Sequence, residues 1–222
     1  MPSTPAKHHE DRKLFFIILS LVFVVWVVYR LALPQFPIWF DETAGKALIF
    51  GLPVWYYLIV TRNKRVWETF SWDKFEPGFL MGVAFGGIYG FVTSVIFLLN
   101  SGGEVQNVNL FLSSQFWWEF ALAVFTGFWE TLLFFGLVQT MLEYFYPKWT
   151  LNKQVITVAL IFLAFHVPNI ILRADAMAIG WQLVLLACFA AGQSLIFSQT
   201  KNSYALVLSH TFWGMVLLTH SL

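Results

Sequence analysis

Three side chains capable of acid–base chemistry stand inside otherwise apolar stretches of this sequence: Glu130, His166 and His210. Glu130 sits in Phe125-Thr126-Gly127-Phe128-Trp129-Glu130-Thr131-Leu132-Leu133-Phe134-Phe135-Gly136-Leu137, where no other charge occurs. A carboxylate beside an imidazole is the minimum equipment for activating a water molecule. A second imidazole can donate a hydrogen bond to a developing oxyanion. The same Glu/His/His set also matches the three-ligand pattern of a catalytic metal centre with an open fourth position, so a divalent metal such as zinc is a second chemistry for these residues. Taken singly, each residue has a purely structural explanation. A buried histidine often joins two helices by a hydrogen bond, and a lone buried glutamate can persist as a neutral carboxyl donating to a backbone carbonyl. Chemistry requires that the three converge.

The elements that must bring them together are membrane spans. The chain of 222 residues is 59% hydrophobic and 11% charged, against roughly 25% charged in ordinary globular domains. Mean hydropathy is +0.70. The fold class expected is all-α, a polytopic transmembrane helical bundle, with residues 1–222 forming a single integral membrane domain. A net charge of +1 provides no basic field for a nucleic-acid partner; the partners expected are membrane lipid and a membrane-associated substrate. The single Cys188 excludes an intrachain disulfide. Eleven Trp and 25 Phe suit lipid-facing surfaces and interfacial belts.

Apolar length divides the chain into about seven spans. They run from Leu14 to Leu33, Ala44 to Thr61, Pro77 to Leu99, Gln115 to Tyr146, Lys153 to Leu172, Ala178 to Gln199 and Tyr204 to His220. The first is too long for a signal-peptide core, and Leu31-Ala32-Leu33-Pro34 is a poor cleavage site, so it is expected to stay. Asp41 and Glu42 fall in the following loop, where they could cap the second helix. Gly82, Gly86 and Gly90 repeat at the spacing of close helix packing, and no Lys-Ser/Thr pair makes them a phosphate loop. The polar stretch Asn100 to Ser114 has room for an eighth, re-entrant or interfacial segment. The fourth span exceeds the ~30 Å hydrocarbon core and must tilt or protrude. Arg173-Ala174-Asp175 is a tight polar break.

Charge supports this division. With a cytoplasmic N-terminus, ten of the 13 basic residues fall in inside segments, leaving Arg30, Lys46 and Arg173 outside. Counted from the cytoplasmic helix ends, Glu130, His166 and His210 then lie ~24, ~20 and ~13 Å along their axes. Tilting the fourth helix would let them meet in the cytoplasmic half or near midplane. Other intramembrane hydrolase signatures are missing. There is no His-Glu-x-x-His, Gly192-Gln193-Ser194 lacks a following glycine, and no Asp falls inside an expected span. A transporter would call for inverted repeats and broken helices, neither of which the sequence displays.

The chain resembles the CPBP intramembrane proteases, which comprise the CAAX prenyl endopeptidases and the bacteriocin-processing or Abi proteins. Three motifs carry the resemblance. The first is Glu130-Thr131-Leu132-Leu133-Phe134-Phe135-Gly136-Leu137-Val138, against the family's Glu-Glu-x-x-x-Arg. The second is Phe162-Leu163-Ala164-Phe165-His166-Val167-Pro168-Asn169, against Phe-x-x-x-His followed by x-Pro-Asn. The third is Ser209-His210 after a short turn and an apolar helix start, against His-x-x-x-Asn/Asp. Order and spacing agree over residues 116–218, the implied catalytic core. The resemblance implies that Glu130 and His166 activate water, that His210 belongs to the oxyanion site, and that Phe162, Asn169 and Thr131 occupy supporting or substrate-binding positions. It favours a glutamate-type hydrolase over a tightly bound zinc enzyme.

Three positions depart from the family pattern. Thr131 stands for the second Glu, Phe135 for Arg, and Gly214 for Asn/Asp. The first two positions are one helical turn apart and face each other. Losing one charge of such a buried pair is costly, whereas replacing both by neutral groups can be nearly neutral. Gly214 removes an oxyanion donor, a loss that typically costs ~10²–10³ in rate. Asn169 is the nearby amide that could compensate. The function expected is an intramembrane endopeptidase cutting a membrane-associated peptide or protein, prenylated or otherwise, in a prokaryotic plasma (inner) membrane. The alternative is a weakened or inactive member serving as membrane scaffold, immunity factor or partner subunit.

Overall fold

The computed structural model describes residues 5–32, 36–100, 114–173 and 176–220. The exit from the first helix at Leu33 and Pro34, the polar stretch 101–113 and the break at Ala174 and Asp175 lie outside the described residues. Among the described residues, seven long helices form the bundle. They are α1 (Pro5–Ala32), α2 (Ile38–Thr61), α3 (Phe75–Asn100), α4 (residues 114–145), α5 (Leu151–Arg173), α6 (Ala176–Thr200) and α7 (Ser203–His220). Among the described residues there is no strand. Among the described residues, six stretches are long and apolar enough to cross a membrane: Lys7–Ala32, Ile38–Thr61, Arg65–Ile96, Gln115–Phe145, Leu151–Leu172 and Gln182–Thr200. This is an integral membrane protein. The seventh expected span coincides with α7, which is mostly buried from Ser203 to Met215.

Glycine decides how the helices meet. A Cβ at Gly82 would lie 2.6 Å from Leu208 Cβ, and one at Gly86 would lie 2.8 Å from Phe212 Cβ. Gly78 meets Asn202 and Tyr204, and Gly90 meets Val216. The small-residue stripe of α3 therefore receives α7, so that backbone approaches backbone as in other small-xxx-small interfaces. Trp213 Nε1 adds a hydrogen bond of 3.1 Å to Thr93 across the same interface.

The turn into α7 is held from below. Asn202 Oδ1 accepts the Tyr204 N–H at 3.0 Å, as an N-capping side chain does, while Asn202 Nδ2 donates to the Lys74 carbonyl at 2.8 Å. Lys201, at φ 49°, makes the left-handed residue of this turn, and its ammonium is ion-paired with Glu143 of α4.

Two helices are not uniform. α4 is α-helical over Ser114–Glu130, π-helical over Thr131–Gln139, and α-helical again over Thr140–Phe145. α2 contains two π-helical turns, Asp41–Gly45 and Ala47–Gly51. Such wide turns are rare and collect at functional sites. The sequence placed Asp41 and Glu42 in a loop ahead of a helix starting near Ala44. In the structure the helix begins at Ile38, and both acids lie inside it. Neither caps it, because each is already taken by a buried cation, as shown below.

Candidate active site

Glu130 ends the regular part of α4, immediately before the π-helical stretch. One turn earlier, Gly127 brings α4 against α7. A Cβ there would sit 2.9 Å from the Val207 carbonyl oxygen and 3.4 Å from His210 Cβ. On the opposite side, Trp129 packs over Gly51 of α2, where a Cβ would come within 2.5 Å of the indole. α4 is thus in close contact with α7 on one flank and α2 on the other. Trp26 of α1 fixes the helix that bears His166, donating to the Phe165 carbonyl at 2.7 Å. Pro168 lies inside that helix and lacks the N–H that would continue its ladder.

These contacts bring the three residues identified in the sequence together. Glu130 Oε2 lies 3.4 Å from His166 Nε2 and 3.5 Å from His210 Nε2. Glu130 and His210 are 4% and 5% exposed, so the focus is nearly closed to solvent. Glu130 Oε2 has no hydrogen-bond partner of its own, and neither does His210 Nδ1. His166 Nδ1 is 2.8 Å from the Phe162 carbonyl. A carbonyl only accepts, so Nδ1 carries a proton and Nε2 is the atom left to exchange one with a guest on Glu130 Oε2. Phe162 also stacks on the His166 ring with centroids 4.1 Å apart and planes at 21°. His210 is held edge-on by Phe189 at 5.0 Å, and Phe189 is itself stacked on Trp213. Next to His210, Ser209 Oγ accepts from Gln193 Nε2 at 2.8 Å, which ties α6 to α7.

The supporting positions divide. Phe162 is fully buried and orients His166 through both its carbonyl and its ring. Asn169 is half-buried one turn beyond His166. Thr131 is fully buried, and its hydroxyl has no hydrogen-bond partner. Phe135 lies buried with its ring 6.2 Å from Phe162 and 6.4 Å from Phe197. Aromatic packing thus fills the place where the resemblance would put a guanidinium. Gly214 faces open space: nothing lies within 4 Å of a Cβ built there.

The site also holds a cation that the sequence alone does not reveal. Lys46, read from the sequence as an extracellular charge, is 3% exposed, and its ammonium lies 2.7 Å from Glu130 Oε1. It also pairs with Glu42 one turn back on α2, and Glu42 in turn accepts from Thr126 Oγ1 of α4. Arg30 was likewise read as outside. It is buried, bonds Asp41 at 2.6 Å and lies over the Trp26 ring at 4.2 Å. Tyr29 donates to the same Asp41. Asp41 is therefore an aspartate inside a span after all, and its partners are Arg30 and Tyr29, not a second aspartate. A signal was present in the i,i+4 spacing of Glu42 and Lys46 beside an apolar run. Charges of both signs at a membrane segment need partners.

Among the described residues, no group of three or more His, Cys, Asp or Glu side chains is placed to hold a metal ion. The Lys46 ammonium already supplies a positive charge at the Glu130 carboxylate. Comparison with known proteins bears on the part of the chain that contains the three motifs. Residues 112–216 match the family model described as type II CAAX prenyl endopeptidase Rce1-like. No curated protein and no solved structure matches the chain. Glu130, His166 and His210 all fall within the matched residues, so the part of the chain that carries all three is similar to an Rce1-like type II CAAX prenyl endopeptidase domain.

Proposed function

We propose that this chain is an intramembrane endopeptidase in which Glu130 and His166 activate water and His210 stabilises the oxyanion. One observation carries the proposal: Glu130 Oε2, buried and without a hydrogen bond, lies 3.4 Å and 3.5 Å from two imidazole Nε2 atoms on different helices. A water held at Oε2 would give its proton towards the carboxylate–imidazole pair as it attacks a peptide carbonyl. His210 Nε2, on the other side of Oε2, would donate to the oxygen that becomes negative. Separations of this size are ordinary for catalytic groups without substrate and tighten when it binds. The step uses side chains alone, so cleavage should survive chelators. The substrate class is a membrane-associated peptide or protein, prenylated or otherwise hydrophobic, in a prokaryotic plasma membrane.

Gly214 favours a competing reading, that of a non-catalytic scaffold or partner subunit. It leaves open space one turn from His210, where a second donor would stand. The two readings separate in one experiment. Membranes containing the unchanged chain, Glu130→Gln, His166→Ala or the surface control Thr157→Ala are incubated with prenylated and unprenylated hydrophobic peptides, with and without chelator. Cleavage is expected in the unchanged chain and the control, at equal rates with chelator, and is expected to vanish in the two site variants. Equal cleavage in all four, or none in any, rejects the peptidase.

A further inference from the structure

We infer that Lys46 is a positioning residue for Glu130: it engages Oε1 so that Oε2 alone faces the two imidazoles. The role rests on the peptidase reading of the same site, whereas the ion pair itself does not. Lys46 comes from α2, 84 residues before Glu130, and the bond between them is 2.7 Å. Their side chains are 4% and 6% exposed. An ammonium and a carboxylate buried together in a membrane helix bundle, with a second carboxylate half-buried beside them, are expensive, and such groups mark function unless structure alone explains them.

Structure alone does not need this arrangement. α2 is already joined to α4 by Trp129 over Gly51, and to α1 by Arg30 on Asp41. The geometry around Lys46 is specific. π-helical turns lie on both sides of it, at Asp41–Gly45 and Ala47–Gly51, and displace the side chains of α2 from regular α-helical positions. Glu42 holds the ammonium from one turn back, and Thr126 holds Glu42 from the turn of α4 before Glu130. Thr126, Glu42, Lys46 and Glu130 thus form a closed circuit that begins and ends on α4. Within that helix Glu130 has no such support. Thr131 and Phe135 are neutral, and the Thr131 hydroxyl makes no hydrogen bond. A carboxylate rotates freely about its last bond unless one oxygen is held. With Oε1 on Lys46, the other oxygen is fixed at 3.4 Å and 3.5 Å from the His166 and His210 rings.

The test combines turnover with a chemical readout that needs no turnover. Lys46→Met, Lys46→Arg and the charge-balanced Glu42→Gln/Lys46→Met are prepared in the full chain beside Glu130→Gln. For Lys46→Met, kcat per folded molecule should fall ~10²-fold with KM little changed, because Lys46 orients a reacting group and touches no substrate. Lys46→Arg should recover much of the loss, because a guanidinium can still bridge two carboxylates. The double variant should lose kcat like Lys46→Met while keeping the fold, and it decides the turnover arm if the single variant does not fold. In parallel, membranes are treated with dicyclohexylcarbodiimide, which attacks neutral carboxyl groups, and the Glu130 peptide is read by mass spectrometry. Glu130 should be protected in the unchanged chain and in Lys46→Arg, and labelled in Lys46→Met and the double variant. Normal kcat in Lys46→Met, where Glu130→Gln is dead, overturns the positioning role and leaves the peptidase standing. If Glu130→Gln cleaves as well as the unchanged chain, the peptidase reading and the positioning role with it fall; labelling still decides the ion pair, and equal Glu130 labelling with and without Lys46 overturns it.

Discussion

Gly127→Ala is the sharpest test of how the bundle builds the site. The added methyl would lie 2.9 Å from the Val207 carbonyl oxygen. That atom belongs to the backbone of α7 and cannot rotate away. Restoring ordinary contact requires the two helices to part by ~0.5 Å, an overpacking strain of ~1–3 kcal/mol. Glu130 follows Gly127 by about one turn, so its 3.5 Å separation from His210 Nε2 would lengthen by a comparable amount. Since a ~1 Å misplacement can cost ~10²-fold in rate, half of that predicts a loss of ~10-fold in kcat. The assay pairs thermal unfolding in detergent with cleavage of a hydrophobic peptide. Gly87→Ala is the control: nothing lies within 4 Å of its Cβ, and the change should stabilise its helix by up to ~1 kcal/mol. If Gly127→Ala unfolds no lower than Gly87→Ala and cleaves at the unchanged rate, the close α4–α7 approach does not set the site.

Other outcomes follow from the same geometry. Gly214→Asn fits open space and, if it supplies the missing oxyanion donor, should raise kcat by up to ~10²-fold while Gly214→Ala does not; equal rates for the two would reject a donor role there. Arg30→Met strands a buried Asp41 and should cost ~3–5 kcal/mol in unfolding free energy, most of it recovered in Arg30→Met/Asp41→Asn. Thr131→Val removes a buried hydroxyl that bonds to nothing and should gain ~1 kcal/mol. Thr131→Glu on its own should be poorly tolerated, with a loss of ~3–5 kcal/mol, because the neighbouring Phe135 provides no counter-charge. A harmless Thr131→Glu would contradict the idea that a buried pair was replaced in concert.

The sequence by itself determined the helices and singled out the residues in them that could do chemistry. Apolar length bounds a membrane helix because its backbone must satisfy its own hydrogen bonds in lipid. The expected spans therefore coincide with α3, α5, α6 and α7 to within a turn. Charge scarcity singled out Glu130, His166 and His210 for the same reason: a polar group in such a helix needs a cause. The glycine spacing in α3 was legible as a packing face, but the sequence does not say which helix it receives. Tertiary structure alone decided that the partner is α7, that the three catalytic candidates meet at one carboxylate oxygen, and that the other oxygen belongs to Lys46. Lys46 and Arg30 read as solvent charges because each sits near the end of an apolar run, and linear distance to a helix end says nothing about depth once α2 starts earlier and widens into π-turns. Hydropathy sums over a window and is blind to pairing. Whether a charge in that window faces water or a carboxylate 84 residues away is settled only when the helices pack.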